Sequence, residues 1–118
     1  MALHHAASGE IIDLAPRGET LSDAASTALF KTHQLEVIRM VLRAGKDVPE
    51  HSVPGEMTVQ CLKGKAELRL RDGTRLLQAG QLACLEGNEP YAFYAGEDSL
   101  LLLTILLKHT DANQAIKG

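Results

Sequence analysis

No familiar enzyme motif connects the side chains of this sequence that could do chemistry. Two cysteines, Cys61 and Cys84, lie inside apolar, strand-like segments. In a reducing cytosol we predict that both are small buried hydrophobic side chains rather than a disulfide or a reactive thiol. Gly-rich phosphate loops, paired-cysteine motifs and the HExxH and GxSxG signatures are absent from the sequence. The best-specified enzyme classes are thereby excluded.

The aromatic residues and the charges also limit the possible partners. Aromatic residues make up 3% of the chain, and three of the four, Tyr91, Phe93 and Tyr94, lie close together while Phe30 stands apart. Any platform for stacking bases or sugars would have to be built from them. The formal net charge is -3, and Lys and Arg are scattered, so no basic patch can neutralise phosphates. We therefore predict no nucleic-acid partner.

The elements that position these side chains are predicted to be β-strands. Short apolar runs separated by Gly, Pro and Asp recur along the chain, as in an all-β sandwich or barrel. Charged and apolar residues alternate over 67–71, which places Leu68 and Leu70 on a core face. The Asp72-Gly73 pair predicts a turn after this strand. The other predicted strands are 27–31, 36–43, 74–77, 81–85, 90–94 and 99–107.

The chain is predicted to form one domain with short extensions at both ends. Its 118 residues, 45% of them apolar and 23% charged, suit a single globular core. We predict an N-terminal extension over 1–35, a barrel over 36–109 and a frayed tail over 110–118. Within the extension, Ile11, Ile12 and Leu14 are candidates for an edge strand, and 22–25 for one helical turn.

The segment from Gly45 to Gly64 resembles the first motif of the cupin family. The family pattern is Gly, five residues, His-x-His, three or four residues, Glu, six residues and Gly, and both glycines and His51 fit it. The segment that begins at Gly80 resembles the second motif, Gly, five residues, Pro-x-Gly, two residues, His, three residues and Asn, in its opening glycine. The resemblance covers roughly 36–107 and implies an all-β double-stranded β-helix, or jelly-roll barrel.

The resemblance also implies a metal site, but most of its ligands are replaced here. In the family, two histidines and the glutamate of the first motif and the histidine of the second bind one divalent metal inside the barrel. Carried over position by position, they correspond to His51, Val53, Met57 and Tyr91. Only His51 is an ordinary ligand, whereas a mononuclear site generally needs three protein groups.

Neighbouring donors leave a less usual metal site open. Glu56 lies one position off the glutamate frame, so strand alternation aims it out of the barrel unless a bulge follows Pro54-Gly55. Tyr91 is either a phenolate ligand or a neutral hydrogen-bonding phenol. Gln60 is predicted on the side of its strand opposite Met57, as a sheet-packing amide. The candidate metal ligands are thus His51, Glu56, Gln60 and Tyr91, for one divalent ion of iron, nickel, zinc or manganese, or for none.

Without a metal, the same frame predicts a mostly apolar ligand pocket. The pocket residues are His51, Val53, Met57, Val59, Cys61, Tyr91 and Phe93. A mostly apolar wall with a few polar groups is the usual form of a small-molecule site. The interior of a barrel this small can instead be filled by its own side chains. In that case His51 is a buried neutral histidine. Glu86 and Glu89 are predicted as rim carboxylates at the mouth.

Two functions therefore stay open, and each implies different chemistry. The first is a cupin that binds a small organic ligand without a complete metal site. The second is a metal-dependent enzyme of the dioxygenase or isomerase type that uses His51 with Glu56, Tyr91 and Gln60.

The apolar run near the C-terminus and the first seven residues predict the oligomeric partner and the cellular location of the protein. The run from Leu100 to Leu107 is too short to cross a bilayer and is apolar on both faces. It is therefore predicted as a buried strand that a second copy partly covers in a homodimer. Met1 to Ala7 lacks the features of a signal peptide, so we predict a cytoplasmic protein without membrane contact.

Overall fold

The protein is an all-β sandwich of two antiparallel sheets. The structure, a computed structural model, describes residues 6–14 and 26–108. These residues contain nine strands: β1 (Thr27–Lys31), β2 (Leu35–Leu42), β3 (Asp47–His51), β4 (Met57–Lys63), β5 (Lys65–Leu70), β6 (Gly73–Gln78), β7 (Leu82–Leu85), β8 (Tyr91–Tyr94) and β9 (Ser99–Leu106).

The strands alternate between the two sheets along the chain. The large sheet has the order β1-β2-β9-β4-β7, and the small sheet has the order β3-β8-β5-β6. From β2 onward the chain crosses repeatedly from one sheet to the other, which is the winding of a jelly roll. The predicted all-β jelly-roll fold is therefore confirmed.

Alternation along the strands builds the core between the sheets. On β4, Met57, Val59 and Cys61 are buried, and they pair across the sheet with apolar residues of β9 such as Leu103. On the small sheet, Phe93 is fully buried. Because neighbouring side chains on a strand point to opposite faces, the residues between these positions face outward. The core is thus a single apolar layer between two sheets.

The central hairpin turns one residue earlier than the Asp72-Gly73 pair predicts. Leu70 pairs with Gly73, so the two-residue loop is Arg71 and Asp72. Gly73 instead begins β6 with a φ of 140°, a left-handed backbone that glycine adopts without strain. The pairing register selects this loop, since Leu68 must stay on the core face.

The candidate edge strand at Ile11, Ile12 and Leu14 does not form, whereas the predicted strand 27–31 lies at a sheet edge. Residues 11–14 contain no strand, and Ile11 is 89% exposed. β1 takes the sheet edge instead, and the Ala6 amide donates a hydrogen bond to the Leu29 carbonyl at 3.1 Å. The predicted helical turn at 22–25 and the tail at 110–118 lie outside the described residues, and the proposed division into 1–35, 36–109 and 110–118 stays a prediction.

The prediction of two buried cysteines is half right. Cys61 has no exposed surface, whereas Cys84 is exposed. Cys84 lies on the outer face of β7, at the free edge of the large sheet, where no other strand of the described chain covers it. An apolar neighbourhood in the sequence does not distinguish an edge strand from a central one.

Candidate functional site

His51 and Tyr91 meet at one end of the sandwich. β3 ends at His51 and β8 begins at Tyr91, and the two residues are direct cross-strand partners. Their ring centroids are 6.0 Å apart at an interplanar angle of 85°, an edge-to-face contact. Cross-strand partners share a face of the sheet, so both rings lie on the inner side of the small sheet. We call this end of the sandwich the His51 end.

Both rings keep their hydrogen-bonding capacity free. Within residues 6–14 and 26–108, neither the His51 imidazole nor the Tyr91 hydroxyl makes a hydrogen bond or an ion pair. His51 is exposed, and Tyr91 is 5% exposed. In this part of the chain, two side-chain polar atoms are both fully buried and without a partner: Thr27 Oγ1 and Arg39 Nε. The Tyr91 hydroxyl is not one of them and has no partner, so it reaches solvent. Two polar side chains without a protein partner therefore lie in contact at this end.

Apolar side chains surround this pair. Leu70 pairs with Tyr91 on the neighbouring strand, and the Tyr91 and Phe93 rings contact each other at a centroid distance of 5.5 Å. Val53 is half-buried and Met57 is buried. The wall at the His51 end is therefore largely hydrocarbon.

The deeper residues of the predicted pocket are closed off from solvent. Val59, Cys61 and Phe93 have no exposed surface and belong to the hydrophobic core. A ligand at the His51 end would therefore contact Tyr91 and the rim, and would reach these three residues only if core side chains moved.

The remaining candidate metal ligands do not join His51 and Tyr91 on one face. Gln60 pairs with Leu82 and Leu102 on the outer face of the large sheet, opposite Met57. Glu56 precedes β4 in an exposed loop. Its carbonyl accepts a hydrogen bond from the Leu106 amide at 2.9 Å, so the loop is tied to the end of β9.

A groove of about 750 Å³ lies outside the loops at the same end. It is lined by His33, Glu56, Glu86, Asn88 and Lys108, together with the backbone of 54–55 and 87. Glu86 therefore lies at a rim, as predicted. The groove is open and polar, which suits solvent or a loosely held polar molecule better than an enclosed apolar ligand.

The two loops at the His51 end, 52–56 and 86–90, contact each other. The Asn88 amide donates a hydrogen bond of 2.7 Å to the Val53 carbonyl, and Asn88 adopts a φ of 67°. Asparagine tolerates this left-handed conformation better than most residues. A Cβ atom on Gly87 would meet the Pro54 carbonyl oxygen, so the loops approach as closely as backbone can. Glycine in both loops is the sequence signal for this contact.

Solved bacterial structures share this arrangement of strands. A conserved protein of unknown function from Streptococcus pyogenes aligns with a TM-score of 0.72 and 23% identity, over 91% of this chain and 95% of that chain. A cupin superfamily protein from Desulfitobacterium hafniense DCB-2 aligns with a TM-score of 0.70 and 16% identity, over 84% and 100%. The chain has the cupin fold. An RmlC-like cupin from Shewanella frigidimarina NCIMB 400 aligns with a TM-score of 0.65 and 14% identity, over 73% and 78%.

Sequence comparison adds nothing to this assignment of the cupin fold. No protein-family model matches the sequence, and no curated protein matches it either. In the described part of this cupin domain, no helix is long and apolar enough to cross a membrane. The cytoplasmic location stays a prediction.

The residues of this cupin-fold domain do not fit the divalent metal that the fold family implies. The family's ligand positions hold Val53 and Met57 beside His51 and Tyr91, and an aliphatic side chain and a thioether are not hard donors. Among residues 6–14 and 26–108, no group of three or more His, Cys, Asp or Glu side chains is placed to hold a metal ion. The His51 imidazole and the Tyr91 hydroxyl can form hydrogen bonds next to an apolar wall at this end.

We expect stability to fall in alkaline solution because of two buried acids. Burial raises the pKa of the Tyr91 phenol above its ordinary value of 10.0. Burial also raises the pKa of the Cys61 thiol above 9.0, a hydrogen bond with the Lys63 backbone lowers it, and the negative charge of Glu97 raises it. The folded state therefore holds protons that the unfolded chain releases, so the stability is present below about pH 9 and is lost as the pH rises through and beyond 10.

Urea unfolding at a series of pH values from neutral to alkaline measures this loss. Tyr91→Phe should flatten the decline above pH 10, and Cys61→Ala should flatten the part that begins near pH 9. A wild-type protein and a Tyr91→Phe variant with the same pH profile would show that the phenol is not protected by folding.

Proposed function

We propose that this cupin-fold protein binds a small organic molecule at the His51 end, without a resident metal. One observation carries the proposal: the His51 and Tyr91 rings meet edge to face at 6.0 Å, and neither ring has a hydrogen-bond partner among the described residues. Because the protein itself satisfies neither group, a ligand can exchange their hydrogen bonds with water for hydrogen bonds of its own. A ligand with a matching polar group therefore gains affinity there.

The ligand class follows from what the two groups donate. Burial raises the pKa of the Tyr91 phenol, so at neutral pH it stays protonated and can donate a hydrogen bond. The His51 imidazole donates from at least one nitrogen in either protonation state. Two donors at one place match a carboxylate or carbonyl oxygen. The apolar side chains of Leu70 and Val53 match a hydrocarbon or aromatic body.

Titration with benzoate, followed by saturation-transfer NMR on the ligand, tests this proposal. Benzoate has a carboxylate acceptor and an aromatic body, and benzamide and toluene serve as weaker probes that lack the charge or the acceptor. We expect His51→Ala and Tyr91→Phe each to weaken benzoate binding about tenfold, because each removes one hydrogen bond of about 1.5 kcal/mol to a charged acceptor.

His33→Ala is the matched control for His51→Ala. His33 lines the outer groove, which does not include His51 or Tyr91, so its removal should leave benzoate binding unchanged. Binding that is lost in His33→Ala but kept in His51→Ala and Tyr91→Phe would move the site to the groove and contradict the proposal.

Elemental analysis of the same preparations separates this function from a metal-dependent dioxygenase or isomerase. Without a resident metal, iron, nickel, zinc and manganese should each stay far below one equivalent per chain. Near one equivalent of metal, lost in His51→Ala, would instead mean that Glu56, Gln60 or Tyr91 completes a site. That result would replace the proposed ligand-binding role by the metal-dependent one.

A further inference from the structure

The outer groove is formed by four stretches of chain that meet at the His51 end. They are the turn between β1 and β2, the loops 52–56 and 86–90, and the end of β9, and together they bound a volume of about 750 Å³. The Leu107 amide donates a hydrogen bond of 2.8 Å to the Gln34 carbonyl, which ties the end of β9 to the turn between β1 and β2. A volume of this size is within the ~300–1,000 Å³ that is usual for small-molecule sites.

The walls of the outer groove are fixed by close contacts between main-chain atoms. A Cβ atom on Gly55 would meet the Leu106 carbonyl oxygen, as one on Gly87 would meet that of Pro54. The Leu106 amide also donates a hydrogen bond of 2.9 Å to the Glu56 carbonyl. Each wall thus packs on the main chain of a neighbouring one, so the groove exists before a ligand binds and binding orders little of the chain.

The charged side chains of the outer groove do not pair with one another. The carboxylates of Glu56 and Glu86 and the ammonium of Lys108 line the groove and are exposed. Within residues 6–14 and 26–108, none of these three side chains makes a hydrogen bond or an ion pair. On the outer face of the small sheet, by contrast, Arg69 and Glu67 form an ion pair at 3.0 Å. The groove therefore holds charges of both signs that are available to a ligand.

We propose that the outer groove binds a free amino acid with a basic side chain. Two carboxylates and one ammonium are complemented by two cationic groups and one anionic group. Lysine has this set, with its α-ammonium and side-chain ammonium for Glu56 and Glu86 and its carboxylate for Lys108. A polyamine lacks the anionic group. A metal ion fits less well, because the described chain has no group of three or more His, Cys, Asp or Glu side chains placed to hold one.

We expect lysine to bind weakly in the outer groove and to be sensitive to salt. The charges are exposed, so water and salt screen them, and each contact should change the affinity only about two- to five-fold. Neither His51 nor Tyr91 lines the groove. Lysine binding there therefore does not depend on the proposed ligand site at these two residues.

Titration of the nitrogen-15-labelled protein with lysine, followed by its amide NMR signals at about 50 mM ionic strength, tests the proposal. Two probes each lack one charged group of lysine: cadaverine lacks the carboxylate, and norleucine lacks the side-chain ammonium. At matched ionic strength, lysine should bind about two- to five-fold more tightly than either probe, because it alone makes all three contacts. Equal affinity for the three compounds, or no saturable shift up to ~20 mM lysine, overturns the proposal.

Neutralising Lys108 should remove the preference for lysine over cadaverine. In Lys108→Met the lysine carboxylate loses its partner, so lysine should bind no more tightly than cadaverine, whose own affinity should not fall. Glu56→Gln combined with Glu86→Gln should weaken the binding of both compounds about tenfold. All three positions are exposed, so we expect the variants to fold, and a cooperative unfolding transition checks this. A preference for lysine that survives Lys108→Met overturns the proposal.

Glu89→Gln is the matched control. Glu89 lies in the same loop as Glu86 but does not line the outer groove, so the same loss of charge there should leave lysine binding unchanged. His51→Ala should leave lysine binding unchanged as well. A loss in either variant as large as that in the double glutamine variant would place lysine elsewhere and overturn the proposal.

Discussion

Replacing Phe93 by alanine should lower the free energy of unfolding by about 3–5 kcal/mol, the range for a buried phenylalanine. Phe93 has no exposed surface, and its strand partners Val48 and Leu68 flank it in the small sheet. Its ring also contacts Tyr91. The cavity left behind lies between two hydrogen-bonded sheets that cannot close over it. Since total stabilities of small domains are ~5–15 kcal/mol, much of the stability would be lost.

Urea unfolding at one protein concentration measures this change, because association would otherwise alter the apparent stability. Phe30→Ala is the matched control. Phe30 is half-buried on the edge strand β1 and lies outside the core cluster. Phe30→Ala should lower the free energy of unfolding by less than half as much as Phe93→Ala. A Phe93→Ala variant that loses no more than Phe30→Ala would contradict the placement of the core at Phe93.

Replacing Gly87 by alanine should lower the free energy of unfolding by about 2–4 kcal/mol, since an overpacked site is strained and a backbone hydrogen bond is lost with it. The added Cβ meets the Pro54 carbonyl oxygen and lies 3.5 Å from the Gly55 carbonyl carbon. The loop must move away, and the Asn88–Val53 hydrogen bond lengthens with it. Because these loops lead to Tyr91 and from His51, benzoate binding should weaken in the same variant.

Gly96→Ala provides the control for Gly87→Ala. A Cβ atom at Gly96 has only an ordinary contact, 3.9 Å from Tyr94 Cε2. The substitution should change the free energy of unfolding by no more than about 0.5 kcal/mol. Thermal and urea unfolding of both variants make the comparison. Equal stability in the two variants would mean that the loops are not in the close contact described above.

The strands were predictable because their signal is local. Side chains alternate with a period of two residues, so Leu68 and Leu70, or Ile38, Met40 and Leu42, indicate a buried face without knowledge of any partner strand. The structure places these residues in or against the core. The motif frame of the cupin family then supplied the order in which such strands wind.

Features that depend on the neighbouring strand were less predictable. The exposure of Cys84 and the absence of a strand at residues 11–14 follow from which strand occupies each sheet edge. The turn at Arg71-Asp72 follows from the register of β5 with β6. Each of these is set by pairing between segments and not by the residues of one segment.

The sequence by itself determined that the chain is all-β, and its resemblance to the cupin motifs predicted that His51 and Tyr91 occupy ligand positions and that Val53 and Met57 replace the usual donors. Only the tertiary structure decided that the two rings meet at 6.0 Å without a hydrogen-bond partner among the described residues, and that Val59 and Phe93 are closed from solvent. The reason is physical. Residue type and alternation act within a few residues, whereas contact and solvent access arise when distant strands pair and two sheets pack together.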